Sequence, residues 1–199
     1  MTKSTIIAEV ISLILSPLVL LAPVPFFLVY EQTNSLSSST LWSAISILFI
    51  FIFFLIILVG VRVGVFSDFN ISKREQRPLL FSLAMVLTFI YLATLFLFHA
   101  PQDLLIGTTA IILGLVVIGA VNIFTKVSGH LTVLSAFVTF LILAEGWRAL
   151  ITLLLIPLLI WARIQTKNHT LIQTILGTIL GSATIITIYV IFKYILGNA

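Results

Sequence analysis

The chain has no cysteine among its 199 residues. Without thiols it can form no disulfide bond, offer no thiolate ligand to a metal and supply no cysteine nucleophile. These three kinds of site are therefore excluded before any motif is considered.

Charge is also scarce, at 8% of the residues against 61% that are hydrophobic. Soluble domains carry about 25% charged residues, so the composition is that of a membrane protein. The formal charge of +4 is too small and too scattered for a nucleic-acid surface, and no nucleic-acid partner is expected. No polar stretch is long enough to fold separately, which predicts one integral-membrane domain over residues 1–199.

Long apolar runs indicate how the chain crosses the bilayer, since a spanning helix needs about 20 such residues. The runs cover residues 6–30, 41–65, 79–98, 104–124, 131–161 and 170–196. We interpret the first as a retained helix, because it carries Glu9 and no cleavage site follows it. Residues 131–161, broken by Glu145–Arg148, suit a hairpin of two short helices. The expected fold is an all-α polytopic membrane bundle of six to seven hydrophobic helices, six if one arm is re-entrant.

Alternating crossings place the polar loops on two faces of the membrane. We call side A the face that holds residues 66–78, 125–130 and 162–169, and side B the opposite face. Eight of the ten Lys and Arg residues fall on side A, and Arg148 and Lys193 fall on side B. The positive-inside rule then predicts that side A is cytoplasmic. Removing three cations that could bind phosphate (Lys73, Arg77 and Arg163) leaves five against two, with the same result.

The first polar segment on side A contains Lys73, Arg74 and Arg77 just before a helix that opens with Pro78. Guanidinium groups match pairs of phosphate oxygens, and a helix N-terminus adds free amides and partial positive charge. The segment therefore indicates a phosphate clamp. The alternative is a loop whose cations lie near anionic lipid headgroups.

The second segment is Ser128-Gly129-His130. Ser128 is expected to cap a helix that starts near Leu131, and Gly129 lets the backbone approach a ligand closely. His130 would stand in the first turn. It would be either a reactive group or a structural histidine whose ring is partly buried and whose polar end is in contact with water. Lys126 is interpreted as an interfacial anchor.

The third segment carries Arg163, His169 and Gln173. His169 and Gln173 are four residues apart, so they share a helix face and can form a hydrogen bond. An imidazole oriented through one nitrogen can act as a nucleophile at the other. The alternative is a snorkelling arginine and a boundary histidine. The spacing of Gly177 and Gly181 predicts close helix packing.

In this order the three segments resemble the motifs of the type 2 phosphatidic acid phosphatase superfamily, over about residues 60–185. The matching residues are Arg77-Pro78, then Ser128-Gly129-His130, then Arg163-x5-His169-x3-Gln173-x3-Gly177. The resemblance implies a metal-independent, cofactor-free lipid phosphatase that forms a phosphohistidine. It implies that His169 attacks phosphorus and that His130 protonates the leaving oxygen. The phosphate would be held by Lys73, Arg77, Ser128, Gly129 and Arg163.

The sequence departs from the family pattern at four positions, Asn70, Val127, Ala162 and Gln173. The family usually has lysine, proline, serine and a carboxylate there. An amide at position 173 orients imidazole but stabilises imidazolium less than a carboxylate does. However, His-Thr-x-x-Gln is similar to the pattern found in the branch of the family that hydrolyses polyisoprenyl diphosphates. The expected partners are therefore the lipid bilayer and a lipid phosphate or prenyl diphosphate substrate.

Two other functions stay open. A non-catalytic relative would bind lipid phosphate without turnover, which the departures at Asn70 and Gln173 favour. A magnesium-dependent prenyltransferase also needs a cytoplasmic arginine cluster, but it requires two aspartate-rich metal sites, and only Asp68 lies in the relevant loop.

Overall fold

A computed structural model describes residues 2–196, with side chains through Ile191. Lys193, assigned above to side B, therefore has a side chain outside the described part. The helices are α1 (Lys3–Ile14), α2 (Pro17–Leu21), α3 (Val24–Thr33), α4 (Leu36–Arg62), α5 (Arg77–Leu97), α6 (Gln102–Phe124), α7 (Gly129–Glu145), α8 (Leu155–Gln165) and α9 (Leu171–Leu196). Two 3₁₀ helices cover Arg74–Gln76 and Gly146–Leu154. No strand occurs within residues 2–196, so the all-α prediction is confirmed.

Within the described residues, six segments are long and apolar enough to cross a membrane: Lys3–Thr33, Leu36–Arg62, Arg74–Leu97, Gln102–Phe124, Gly129–Gln165 and Leu171–Ile191. This confirms the prediction of a multi-pass membrane protein. Large hydrophobic side chains are exposed along these segments, as expected of surfaces that face lipid.

The first apolar run differs from the single helix that its composition predicts. It forms α1, α2 and α3 in succession. Pro17 begins α2, Pro23 is the N-cap of α3, and Pro25 lies in the first turn of α3. Proline has no backbone N–H and clashes with the preceding turn, so helices restart at these residues instead of running through them.

Contacts within the chain group it into two compact units. Unit 1 consists of Met1–Leu20 and Thr125–Ala199, and unit 2 consists of Leu21–Phe124. The single integral-membrane domain expected from composition stays a prediction.

Unit 1 contains the expected hairpin. The chain leaves α7 at Gly146, whose φ of +65° suits a residue without a Cβ atom. It then passes through the second 3₁₀ helix into α8, which packs against α7. Their shared core also includes residues of α1 and consists of Ala8, Leu15, Leu131, Leu134, Val138, Leu159 and Ala162.

Helices α7 and α9 approach closely at the two glycines. A Cβ atom on Gly177 would lie 2.7 Å from the carbonyl oxygen of Ser128, and one on Gly181 would overlap the backbone of Thr132. Across the same interface, the Thr139 hydroxyl donates to the Ser182 hydroxyl at 3.0 Å. The close packing predicted from the glycine spacing is therefore present, and it brings the start of α9 to the start of α7.

Unit 2 packs α3, α4, α5 and α6 around a core that consists of Val29, Trp42, Tyr91, Leu95, Ala100 and Leu104. A smaller cluster of Ile57, Phe66 and Ile71 lies where α4 passes into the loop before α5. This second cluster fixes the loop that carries the first polar segment.

Candidate functional site

Unit 1 assembles the second and third polar segments at one end of its helices. We call this group the histidine cluster, and it consists of Ser128, Gly129, His130, Arg163, His169 and Gln173. The tight contact of α7 with α9 brings the two segments together, and the Ser128 amide donates to the Gln173 carbonyl at 3.2 Å. Residues about 40 positions apart in sequence therefore lie side by side, as the loop alternation predicts.

His169 lies in the turn between α8 and α9, and its side chain is 8% exposed. The backbone carbonyl of Arg163 accepts hydrogen bonds from the amides of Asn168 and His169, at 3.2 and 3.3 Å. Lys167 completes the turn with a φ of +56°. The C-terminal end of α8 thus sets where His169 stands.

The expected hydrogen bond between His169 and Gln173 is present. His169 Nδ1 lies 3.0 Å from Gln173 Oε1. The same oxygen accepts from the Thr170 amide at 3.3 Å, which fixes the orientation of the Gln173 side chain because an N–H group requires an acceptor. Oε1 cannot donate, so Nδ1 must carry the proton. In the neutral ring the lone pair then resides on Nε2, which is the tautomer that a nucleophilic histidine requires.

Arg163 is the largest of the fully buried side chains, at 1% exposed. It lies in the last turn of α8, six residues before His169. A buried guanidinium is costly unless its charge is compensated, and such groups concentrate where proteins bind anions. The cluster therefore combines a fixed cation with an oriented imidazole.

Ser128 is in the predicted place but does not act as predicted. It is the N-cap residue of α7, yet its side chain makes no capping hydrogen bond. The hydroxyl is fully buried and has no hydrogen-bond partner in the part of the chain that the structure describes. Its backbone carbonyl instead accepts from the amide and hydroxyl of Thr132. The expectation of a side-chain cap is wrong, and a buried donor is left for another acceptor.

Gly129 and His130 open α7, two residues earlier than the start near Leu131 that the sequence suggests. Both are half-buried. The first amides of a helix have no partner within it and carry partial positive charge. His130 therefore stands in the first turn, as expected.

In unit 2, Arg77 is buried at 6% exposed. Its Nε donates to the Ile71 carbonyl at 3.2 Å, and its Nη1 donates to Asn122 Oδ1 at 3.0 Å. Asn122 is fixed in turn, since its Nδ2 donates to the Ile118 carbonyl at 2.9 Å. Arg77 therefore joins the start of α5 to the end of α6.

Lys73 and Arg74 differ from Arg77, because both are exposed. Arg74 donates to the carbonyls of Asn122 and Ile123 at the C-terminal end of α6. A cation at this position stabilises the negative end of the helix. Arg74 thus has a structural role. The sequence predicted a phosphate clamp for the whole segment, and Arg74 instead caps α6.

Asp68 organises the loop that precedes these cations. Its carboxylate accepts hydrogen bonds from the Asn70 and Ser72 amides and from the Ser67 and Ser72 hydroxyls. Partial burial alone would raise the pKa of Asp68, but these hydrogen bonds lower it below the ordinary value for aspartate. The carboxylate therefore stays ionised and holds the loop against Arg77, with which it interacts electrostatically.

No protein-family model, curated protein or solved structure matches the chain. The family resemblance therefore stays a prediction that rests on the motif residues themselves.

Sequence reasoning missed three residues that the structure connects to the candidates: Asn122, Asp68 and Lys126. Asn122 lies 45 residues from its partner Arg77, and only the polar side chain in an apolar run signals it. The sequence pattern presents Asp68 only as a possible metal ligand.

Within the described residues no three His, Asp or Glu side chains come together to hold a metal ion. The expected absence of a cofactor stays a prediction.

Proposed function

We propose that this protein is a membrane phosphatase that releases phosphate from a lipid phosphate or prenyl diphosphate through a phosphohistidine on His169. The observation that carries the proposal is the contact between His169 Nδ1 and Gln173 Oε1 at 3.0 Å. Gln173 and the Thr170 amide hold the imidazole with Nδ1 protonated, so the neutral ring presents its lone pair at Nε2. The motif resemblance supports the same assignment.

The reaction would proceed in two steps. In the first, His169 Nε2 attacks phosphorus, an N–P bond forms, and the P–O bond to the lipid breaks. His130 donates a proton to the departing oxygen, so the lipid leaves as an alcohol or as the shorter phosphate. In the second, His130 takes a proton from water, whose oxygen attacks phosphorus. The N–P electron pair returns to Nε2 and inorganic phosphate is released.

Unit 1 supplies groups suited to the phosphoryl oxygens. Arg163 provides a fixed positive charge, and the buried Ser128 hydroxyl and the Gly129 amide provide hydrogen-bond donors near the start of α7. Donors held in place before the reaction stabilise the charge that develops on the phosphoryl group. The resemblance assigns Lys73 and Arg77 of unit 2 to the same task, and for these two residues the proposal rests on the resemblance.

The lipid is proposed to be a prenyl or polyprenyl diphosphate in preference to phosphatidic acid. This preference rests on His169-Thr170 followed by Gln173, which is similar to the polyisoprenyl-diphosphate branch. We also propose that the reaction takes place on the cytoplasmic face, from the excess of cations on side A. Because the chain lacks cysteine, single cysteines at the exposed positions Lys167 and Arg148 can report the two faces to an impermeant thiol reagent.

A non-catalytic lipid-phosphate-binding protein is the second candidate, and Gln173 is the observation that favours it. An amide oxygen accepts a hydrogen bond from His169 Nδ1 but cannot neutralise the positive charge that a phosphorylated imidazole carries. This candidate predicts that the purified protein binds lipid phosphates and releases no phosphate from any of them.

The deciding experiment is a phosphate-release screen with chelator present, across phosphatidic acid, phosphatidylglycerol phosphate and prenyl diphosphates. We expect release from at least one substrate, and we expect His169→Ala to lower it by about 10³-fold or more, because the nucleophile is removed. His99→Asn is the matched control, since His99 is exposed and asparagine tolerates its φ of +54°. Unchanged turnover in His169→Ala would exclude the mechanism, and strict dependence on magnesium would favour the prenyltransferase.

A further inference from the structure

Lys126 contacts the turn that carries His169. Its Nζ donates to the backbone carbonyl of Asn168 at 3.1 Å, across 42 residues of sequence. The sequence pattern predicts only an interfacial anchor at Lys126, and an anchor needs no partner within the protein. A role as interfacial anchor therefore does not explain why Lys126 Nζ contacts the Asn168 carbonyl.

The peptide group between Asn168 and His169 is held at both of its ends. Its carbonyl accepts from Lys126 Nζ, and its N–H donates to the Arg163 carbonyl at 3.3 Å. A planar peptide with both polar groups fixed cannot rotate about the adjacent bonds. The backbone that leads into His169 thus has a defined orientation, which depends on Lys126 at one end and on α8 at the other.

A second contact from the same segment holds the partner of His169. The Ser128 amide donates to the Gln173 carbonyl at 3.2 Å. Val127, between the two contacts, is fully buried and anchors the segment in unit 1. Residues 126–128 therefore hold the chain just before His169 and again at Gln173, which orients the imidazole.

We propose that Lys126 is a positioning residue for His169. Its ammonium group keeps the turn between α8 and α9 closed, so that Nδ1 stays on Gln173 and Nε2 keeps its direction. The catalytic consequence rests on the proposed function, whereas the structural consequence does not. Lys167 lies in the same turn and is exposed, so it provides a control with the same charge.

The test compares Lys126→Met, Lys126→Gln and Lys126→Arg with Lys167→Met in the full-length protein. The first readout is carbethoxylation of His169 by diethyl pyrocarbonate, located by mass spectrometry and referred to His99. We expect both neutral variants at position 126 to raise the labelling rate of His169 several-fold. The reason is that a loosened turn exposes the buried imidazole to the reagent more often. Lys126→Arg keeps a cationic donor and should restore slow labelling, and Lys167→Met should match the wild type.

The second readout is turnover on the best substrate of the screen. Removing the positioning contact should lower kcat about tenfold and leave KM within about twofold, because ångström-scale misplacement affects the reaction more than binding. Unchanged labelling of His169 in both neutral variants would overturn the proposal, as would an equal effect of Lys167→Met. If the wild type releases no phosphate, the proposed function fails, but the labelling experiment still decides whether Lys126 positions His169.

Discussion

The histidine cluster of unit 1 and the arginine segment of unit 2 use similar polar residues in different ways. In unit 1, backbone and amide groups orient one imidazole and fix its proton. In unit 2, Arg74 donates to carbonyls at the end of α6, whereas Arg77 donates to the Ile71 carbonyl in the loop and to the Asn122 side chain. Cations beside a helix N-terminus can therefore stabilise the fold through hydrogen bonds to protein oxygens. A sequence motif identifies candidate site residues. The hydrogen-bond partners of each side chain then show whether it orients another side chain or stabilises the fold.

The largest effect is expected where the fold of the histidine cluster itself is broken. A Cβ atom on Gly181 would overlap the Thr132 backbone, so Gly181→Ala must push α9 away from α7. We expect a loss of about 3 kcal/mol in the free energy of unfolding, since overpacking against backbone cannot be relieved by a side-chain rotation. Thermal or denaturant unfolding in detergent measures the change.

The control for this prediction is Gly114→Ala. Nothing lies within 4 Å of a Cβ atom at Gly114 in α6, so alanine should be neutral or stabilising by about 0.5–1 kcal/mol. Equal stability of the two variants would contradict the close contact of α7 with α9.

The arginine segment can be divided by a pair of substitutions. Arg77→Met leaves the buried Asn122 side chain and the Ile71 carbonyl without this donor, and should cost about 1–3 kcal/mol. Arg74→Met removes only an exposed helix cap and should cost about 0.3–1 kcal/mol. Unfolding measurements on both variants check the order, and a larger loss in Arg74→Met would show that the two roles are reversed.

A modest effect on turnover is expected at Gln173, whose amide orients His169 at a position where the family resemblance implies a carboxylate. Gln173→Glu would still accept from His169 Nδ1 and from the Thr170 amide, and would add a negative charge beside the phosphorylated ring. A charged acceptor contributes about 1 kcal/mol more than a neutral one, so turnover should rise about fivefold. Gln173→Ala, which removes the acceptor, should lower turnover. Slower turnover in Gln173→Glu than in the wild type would contradict this role.

Local spacing predicted much of the histidine cluster before the structure. Four residues separate His169 from Gln173 and also Gly177 from Gly181, and one helical turn brings such pairs onto one face. Loop alternation predicted that the Ser128 and His169 segments meet. The apolar runs predicted where the candidate spans lie, because the bilayer thickness sets their length, but they left the number of hydrophobic helices at six to seven.

Interactions between distant residues were not predictable in this way. Asn122 with Arg77, and Lys126 with Asn168, depend on which helices pack together, and single-residue patterns do not encode that. The cap expected from Ser128 is absent because capping needs a particular side-chain rotation as well as a suitable residue type, and the hydroxyl has no partner among the described residues. The breaks at Pro17 and Pro23 were visible in the sequence, but the hydropathy of the run outweighed them in the prediction.

Trapping the covalent intermediate tests the phosphohistidine mechanism most directly. Wild-type protein is mixed with a prenyl diphosphate labelled in its terminal phosphate, with chelator present, and quenched rapidly in alkali, in which phosphohistidine survives. Peptide mass spectrometry then locates the label. The proposed mechanism predicts that the phosphoryl group is found on His169 and is absent from His169→Ala. Phosphate release without label on His169, or with label on another residue, would contradict it.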